Sequence, residues 1–360
     1  MGLVCRLECL PLKRVYVLLV NWKGWADTLE CLESLLHLDY PDFRIVVVDN
    51  ASTDGSVGHI RNWANNQFDL WKKIGPFQDV PPTTGRAISF TEYDHGSAKR
   101  GGDHSRDAFF TVLHSPENRG YAGGNNIGLR FVLARGDAAY VWLLNNDTFA
   151  DKHALATLVA RIQAKPKAGI CGSSLLFYER PEIIQALGGG YYCPWLAIAW
   201  HVGQRRLFSK QVNPDKVERY LSYIVGASML VSVEFIRKVG PMTEDYFLYF
   251  EEMDWMLRAG KVFSLSFAPG SIVYHKVGAS IGTRTHPAQK SLLCDYYSLR
   301  NRLVFTRRFY PWALPTVYFG LCIEALVRVC CGRIQRAAMI FRLILCGRNP
   351  PPLSRFDGAA

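Results

Sequence analysis

The sequence predicts an α/β protein with a mixed, mostly parallel sheet flanked by helices and a helical extension at its C-terminal end. Three observations carry that expectation. Several short runs are apolar throughout rather than alternating, as strands buried on both faces are. Helical periodicity separates the first two of these runs, and such a strand–helix–strand unit makes its strands parallel. Beyond residue 291 the pattern turns helical, aromatic and basic.

Residues 15–21, Val-Tyr-Val-Leu-Leu-Val-Asn, read as the first buried strand. Leu29, Leu32, Leu35 and Leu36 then repeat at helical spacing, and Tyr40-Pro41-Asp42 ends that helix. Residues 43–48 form the second strand and run into Asp49-Asn50-Ala51-Ser52-Thr53-Asp54-Gly55. The stretch 76–107, with Pro81-Pro82-Thr83-Thr84-Gly85 and a polar run from Asp94 to Asp107, breaks the pattern and reads as an insertion or long loop. A short strand resumes at 109–113, and a Gly/Asn-rich turn at 118–128 opens a helix reaching Leu133. Another buried strand at 140–144 ends in Asn145-Asn146-Asp147-Thr148, followed by a helix over about 152–164. Residues 169–240 read as the far half of the sheet, with 223–233 strand-like; 264–267 and 271–275 read as two further strands. The expected organisation is one α/β domain over 1–290 and a helical basic region over 291–360.

With 49% hydrophobic and 20% charged residues in 360, the chain can bury a large core, which excludes disorder over most of its length. The net charge of +11 is concentrated toward the end, at Arg300, Arg302, Arg307, Arg308, Arg328, Arg333, Arg336, Arg342 and Arg348. That distribution suits phosphate-bearing ligands and an anionic membrane face; no nucleic-acid partner is expected. Ten cysteines lack any CxxC or zinc-finger spacing, so reduced thiols are expected. Charges at Arg6, Glu8, Lys13 and Arg14 interrupt any secretory apolar run, and the location expected is cytoplasmic. The apolar stretch 311–332 is interrupted by Glu324 and Arg328, which can pair four residues apart, and shortened by Pro311 and Pro315. A second apolar stretch, 337–346, is too short to span, and the region from about 295 to 348 is expected to lie peripherally on the inner face of the cytoplasmic membrane without crossing it. The alternative is a hairpin packed on the chain's own core or on a second subunit.

Four groups can carry chemistry. Asp147, in Asn145-Asn146-Asp147, is a carboxylate held rigidly at a strand end, where a hard divalent ion needs one or two carboxylates plus substrate phosphates; a helix-capping turn is the plain alternative. Glu251, Glu252 and Asp254 lie beside Phe247, Tyr249, Phe250 and Trp255, where desolvation raises a carboxyl pKa toward general-base values; an exposed acidic helix start is the alternative. His275 is a lone strand-end histidine. The run from Asn118 through Gly120 to Asn126 resembles a loop whose backbone N–H groups meet phosphate. Neither GxGxxG nor GxxxxGK[ST] is present.

Together these motifs resemble the family 2 glycosyltransferases of the GT-A fold, a Rossmann-like α/β architecture, and especially their rhamnosyltransferase-like branch. The matching pieces are Val20-Asn21-Trp22, the run from Val46 to Ser52, residues 118–128, Leu143 to Asp147, Phe247 to Asp254 and Tyr274-His275-Lys276, spanning roughly 15–280. The resemblance implies an inverting, metal-dependent transfer from a dTDP- or UDP-sugar to a glycan or lipid-linked acceptor, as in building a cell-surface polysaccharide. It implies that Asp49 and Asn50 contact the nucleotide base, with Val20 and Asn21 lining the same pocket. Asn145, Asn146 and Asp147 stand where the family has its DXD motif, Asp147 and His275 would bind Mg2+ or Mn2+, and Glu252 stands at the catalytic base. Asn145 departs from the first acid of DXD, and Glu252 from the usual Asp. Two rivals remain: a sugar-nucleotide nucleotidyltransferase, which would need a glycine-rich basic loop after the first strand, and a non-catalytic partner protein.

Overall fold

The computed structural model describes residues 13–65, 88–209, 211–277 and 291–345. β1 (Val15–Asn21), α1 (Trp25–Leu36) and β2 (Phe43–Asp49) form the opening parallel unit, with Asn21 opposite Asp49 at the carboxyl end. There follow α2 (Ser56–Ala64), β3 (Phe90–Tyr93), α3 (His95–Lys99), β4 (Phe110–His114), α4 (Gly120–Arg135), β5 (Tyr140–Leu144), β6 (Thr148–Ala150) and α5 (Ala154–Gln163). The far half holds β7 (Ala168–Phe177), β8 (Arg180–Leu187), β9 (Gly189–Cys193), β10 (Ile198–His201), α6 (Pro214–Glu218), β11 (Tyr223–Ile224), β12 (Ser228–Ser232), α7 (Val233–Val239), α8 (Glu251–Ala259) and β13 (Ser264–His275).

The main sheet runs β3-β4-β2-β1-β5-β12-β7-β13-β6, with β8 added on β7; β10-β9-β11 make a small second sheet. β12, β6 and β8 are antiparallel to their neighbours, and the other pairings in the main sheet are parallel. Alternation along β1 explains its apolar run. Val15, Val17 and Leu19 face the layer built with α1 and α5, whereas Tyr16 and Leu18 face α4. Helix α4 sits hard against that face because it carries glycines: a Cβ on Gly124 would come within 2.7 Å of Val20, and one on Gly128 within 2.2 Å of Leu18.

Three sequence expectations change in detail. Part of 76–107 is structured: β3 pairs along β4, and the Asp94 side chain caps α3 by accepting from Ser97 N at 2.6 Å. Its β-forming residues are few and flanked by polar ones, which hid the strand; residues 76–87 lie outside the described residues. The 223–233 run is two strands, broken at Val225–Ala227, and 264–275 is one strand whose register shifts between Ala268 and Ile272.

Three helices complete the described chain: α9 (Leu292–Phe309), α10 (Leu314–Cys330) and α11 (Ile334–Leu345). Leu299, Leu303 and Phe305 of α9, Val317 and Leu321 of α10, and Met339 and Ile340 of α11 join the core cluster that also contains Tyr246, Phe250 and Trp255. The pair foreseen between Glu324 and Arg328 forms at 2.7 Å; Arg328 and Arg336 also reach Asp295, and Arg302 reaches Glu324. The opposite face of α10 leaves Phe319, Ile323, Leu326 and Val327 exposed. By length and composition alone, Pro311–Cys330 could cross a membrane.

Candidate active site

A cavity of about 1050 Å3 opens at the carboxyl ends of the central strands, where an open α/β sheet places its ligand. Asn145, Asp147, Glu251, Glu252, His275 and Lys276 all line it.

Asp147 and His275 meet because β13 runs antiparallel to β6, putting His275 opposite Thr148. Lys276 N then donates to Asp147 O at 3.0 Å, locking the two strand ends together. His275 Nε2 lies 3.2 Å from Asp147 Oδ1, and both residues are buried. The other ring nitrogen, Nδ1, is 2.9 Å from Gln185 Oε1. That oxygen accepts, so Nδ1 is the nitrogen that donates to it, and Nε2 is the one turned toward Asp147. Nε2 is indeed buried without a hydrogen-bond partner. A ring nitrogen and a carboxylate oxygen turned toward each other in a buried place are donors a divalent cation can use, with Gln185 fixing the imidazole as outer partners of metal ligands do. Among the described residues no group of three His, Cys, Asp or Glu surrounds one point, so an ion here needs further oxygens, which a diphosphate supplies.

The two glutamates open α8. Glu251 is 1% exposed, and its Oε2 has no hydrogen-bond partner. Burial, then the neighbouring Glu252 charge, pushes its carboxyl well above the usual range. Glu252 is half-buried at the cavity wall, and burial raises it too. Its Oε1 accepts from Gly226 N at 3.1 Å, and a Cβ at Gly226 would come within 2.4 Å of that oxygen. Burial thus raises both adjacent carboxyls, and Glu252 is the one nearer solvent.

Residues 16–74 and 97–197 match the model of glycosyl transferase family 2. Over those residues the chain is similar to the family 2 glycosyltransferases. The fold is similar to that of a mannosyltransferase from Pyrobaculum calidifontis solved with GDP-Man and Mn2+, at TM-score 0.50 and 16% identity over 95% of this chain and 82% of that one. It is also similar to GalNAc-T7 solved with UDP, GalNAc and Mn2+, at TM-score 0.50 and 15% identity over 80% of this chain and 47% of that one. At these identities the likeness is one of fold, the GT-A arrangement. No curated protein matches the sequence.

The remaining motif residues fall into two sets. Asp49 ends β2, accepting from Asn21 Nδ2 at 2.8 Å and Ser52 N at 3.0 Å. Asn21 in turn accepts from Thr28, which accepts from Asn146 Nδ2 at 2.9 Å. One buried chain of hydrogen bonds thus ties the ends of β1 and β2 to the Asn145–Asp147 turn. Asn50 donates to Asn118 Oδ1 and Gly120 O, away from the cavity lining.

The glycine-rich stretch is the second set, and it serves packing rather than phosphate approach. Gly120 N donates to Asn118 and Tyr121 N to Phe247 O, so these first N–H groups of α4 are taken. Gly120 has φ +67°, and a Cβ there would strike Phe247 O at 2.2 Å. Asn126 spends its amide on Met242 O, Met242 N and Glu244.

The structure also takes Asp254 out of the acid cluster facing the cavity. Fully buried, its carboxylate accepts from Thr243, Tyr246 and Arg258 and pairs with Arg308. Sequence reading missed several lining residues: Tyr121, whose hydroxyl donates to Gly226 O at 2.7 Å, and Gln185, His201, Tyr223 and Arg302. Gln185, His201 and Tyr223 carry no local signal, because each reaches the cavity from a different element; Tyr121 and Arg302 stand in the glycine-rich and basic runs, which do not mark them as lining residues.

Proposed function

We propose that the protein is an inverting glycosyltransferase that moves a sugar from a nucleoside-diphosphate donor onto a hydroxyl of a glycan or lipid-linked acceptor. The observation supporting it is that one cavity presents both the Asp147–His275 pair and the desolvated Glu251–Glu252 pair. Glu252 takes the proton of the acceptor hydroxyl as that oxygen bonds to the anomeric carbon. The bond from that carbon to the diphosphate oxygen breaks, and the nucleoside diphosphate leaves with the electron pair; attack from the far face inverts the centre. Asp147 and His275 would hold Mg2+ or Mn2+, which when bound offsets the charge of the diphosphate. Asp49, Asn50, Asn21 and Val20 belong to the nucleotide end by resemblance alone, since none of them lines this cavity. Branch resemblance favours dTDP-rhamnose, with UDP-sugars the alternative donors.

Incubation with a panel of nucleotide sugars, including dTDP-rhamnose, UDP-sugars and GDP-Man, tests this reading. Nucleoside diphosphate release should require Mg2+ or Mn2+ and stop with EDTA. Release from no donor, or release indifferent to EDTA, would overturn it.

A lipid-linked acceptor accords with the exposed face of α10, flanked by Trp312 and by Arg333 and Arg342. Such a face suits an anionic membrane surface, at roughly 1 kcal/mol per basic residue close to it. Glu324 and Arg328 would each cost on the order of 3 kcal/mol at the centre of a span, and both are ion-paired toward α9. Carbonate should therefore strip the protein from membranes. Retention in the carbonate pellet would mean a spanning α10, and a wholly soluble protein would mean that a second copy or nothing covers the face.

A further inference from the structure

The turn that delivers Glu251 and Glu252 adopts a conformation its own residues disfavour. Phe247, Tyr249 and Phe250 have φ of +62°, +70° and +75°. Of the eight non-glycine residues with positive φ among the described residues, three fall within these four positions. An aromatic side chain in the left-handed region persists only where its surroundings over-determine it.

The surroundings here are largely one side chain from outside the family 2 match. Asn301 lies on α9, fully buried. Its Nδ2 donates to Tyr246 O at 2.9 Å, Leu248 O at 2.8 Å and Tyr249 O at 3.1 Å, while its Oδ1 accepts from Arg300 at 2.7 Å. The remaining carbonyl of the turn, Phe247 O, accepts from Tyr121 N at 2.9 Å. All four carbonyls from 246 to 249 are therefore held, three of them by one amide. Tyr297, one helical turn before Asn301, stacks on Phe247 with ring centroids 4.8 Å apart.

We propose that Asn301 is the positioning residue of the acid pair: its amide clamps the left-handed turn 246–250 and so sets where the Glu252 carboxylate stands in the cavity. This rests on reading Glu252 as the base. Asn is the side chain that fits, because a carboxylate of the same shape has no N–H to offer and would face three carbonyl oxygens.

The test uses the full-length protein with Asn301→Ser and Asn301→Asp, and Glu252→Gln as reference. Three readouts serve: hydrogen exchange, binding of UDP and dTDP with Mn2+, and nucleoside diphosphate release from the nucleotide-sugar panel. Both Asn301 variants should lose exchange protection over 246–252 while β1, β2 and β5 stay protected. Turnover should fall about 10²-fold, the scale of an angstrom-sized misplacement, with nucleotide affinity changed less than about threefold. A folded Asn301→Ser with wild-type protection over 246–252, or with wild-type turnover while Glu252→Gln is inactive, overturns the proposal. So does global loss of protection in both variants, which would make Asn301 a general core group. Wild-type turnover in Glu252→Gln would instead defeat the base assignment, leaving the exchange result to decide the clamp.

Discussion

Asp147→Ala is expected to abolish transfer, a fall of about 10³-fold or more, with the fold intact. Losses of that size follow when the charge on a departing group goes unanswered. The carboxylate is buried beside His275 Nε2, and the backbone oxygen of Asp147 accepts from Lys276 N across the strand ends. Deleting the side chain removes the proposed cation ligand and leaves that backbone bond between β6 and β13 in place. Circular dichroism and thermal unfolding should match the parent. Mn2+ binding, followed by electron paramagnetic resonance, should weaken in step with activity. A folded Asp147→Ala with near-normal turnover would remove the residue from the metal site.

Glu252→Gln should lower turnover by about 10²-fold or more, the scale of general-base catalysis, with donor affinity little changed. Glu252 is chosen over Glu251 on access. It is half-buried against the cavity and tethered by Gly226 N, whereas Glu251 is almost sealed and its carboxyl is pushed well above the usual range. A base must be deprotonated to act, and burial raises Glu252, so turnover should rise with pH through an apparent pKa above the usual carboxylate range. Glu251→Gln should cost less activity. A carboxyl whose folded pKa is raised stabilises the fold while protonated, and that contribution is lost as pH climbs through the folded value. Glutamine has no proton to lose, so the stability of Glu251→Gln relative to the parent should grow toward alkaline pH. Asp254→Asn should act through stability, since its carboxylate pins Thr243, Tyr246, Arg258 and Arg308. Greater damage from Glu251→Gln than from Glu252→Gln would reverse the assignment.

The central strands and the groups at their carboxyl ends were legible in the sequence because burial on both faces demands continuous apolar residues, and a change to Asp or Asn marks where the strand leaves the core. β1, β2 and β5 with Asn21, Asp49 and Asp147 are read that way, and the acid cluster by its aromatic company. Other features depend on residues far apart in the chain. His275 reaches Asp147 only because β13 pairs with β6, and Gln185 on β8 turns its ring. The glycines of α4 look the same whether a phosphate or a strand approaches them; Val20, Leu18 and Phe247 O occupy that space. Asp254 shares a helical turn with Glu251 but meets Arg258 and Arg308 instead of the cavity, a direction set by what packs around α8. Asn301 had no local pattern at all, since the three carbonyls it bonds come from a turn about 50 residues earlier. Local composition determines which segments are buried and where they end; the partners of a buried polar group are set by long-range packing, which no short window of sequence contains.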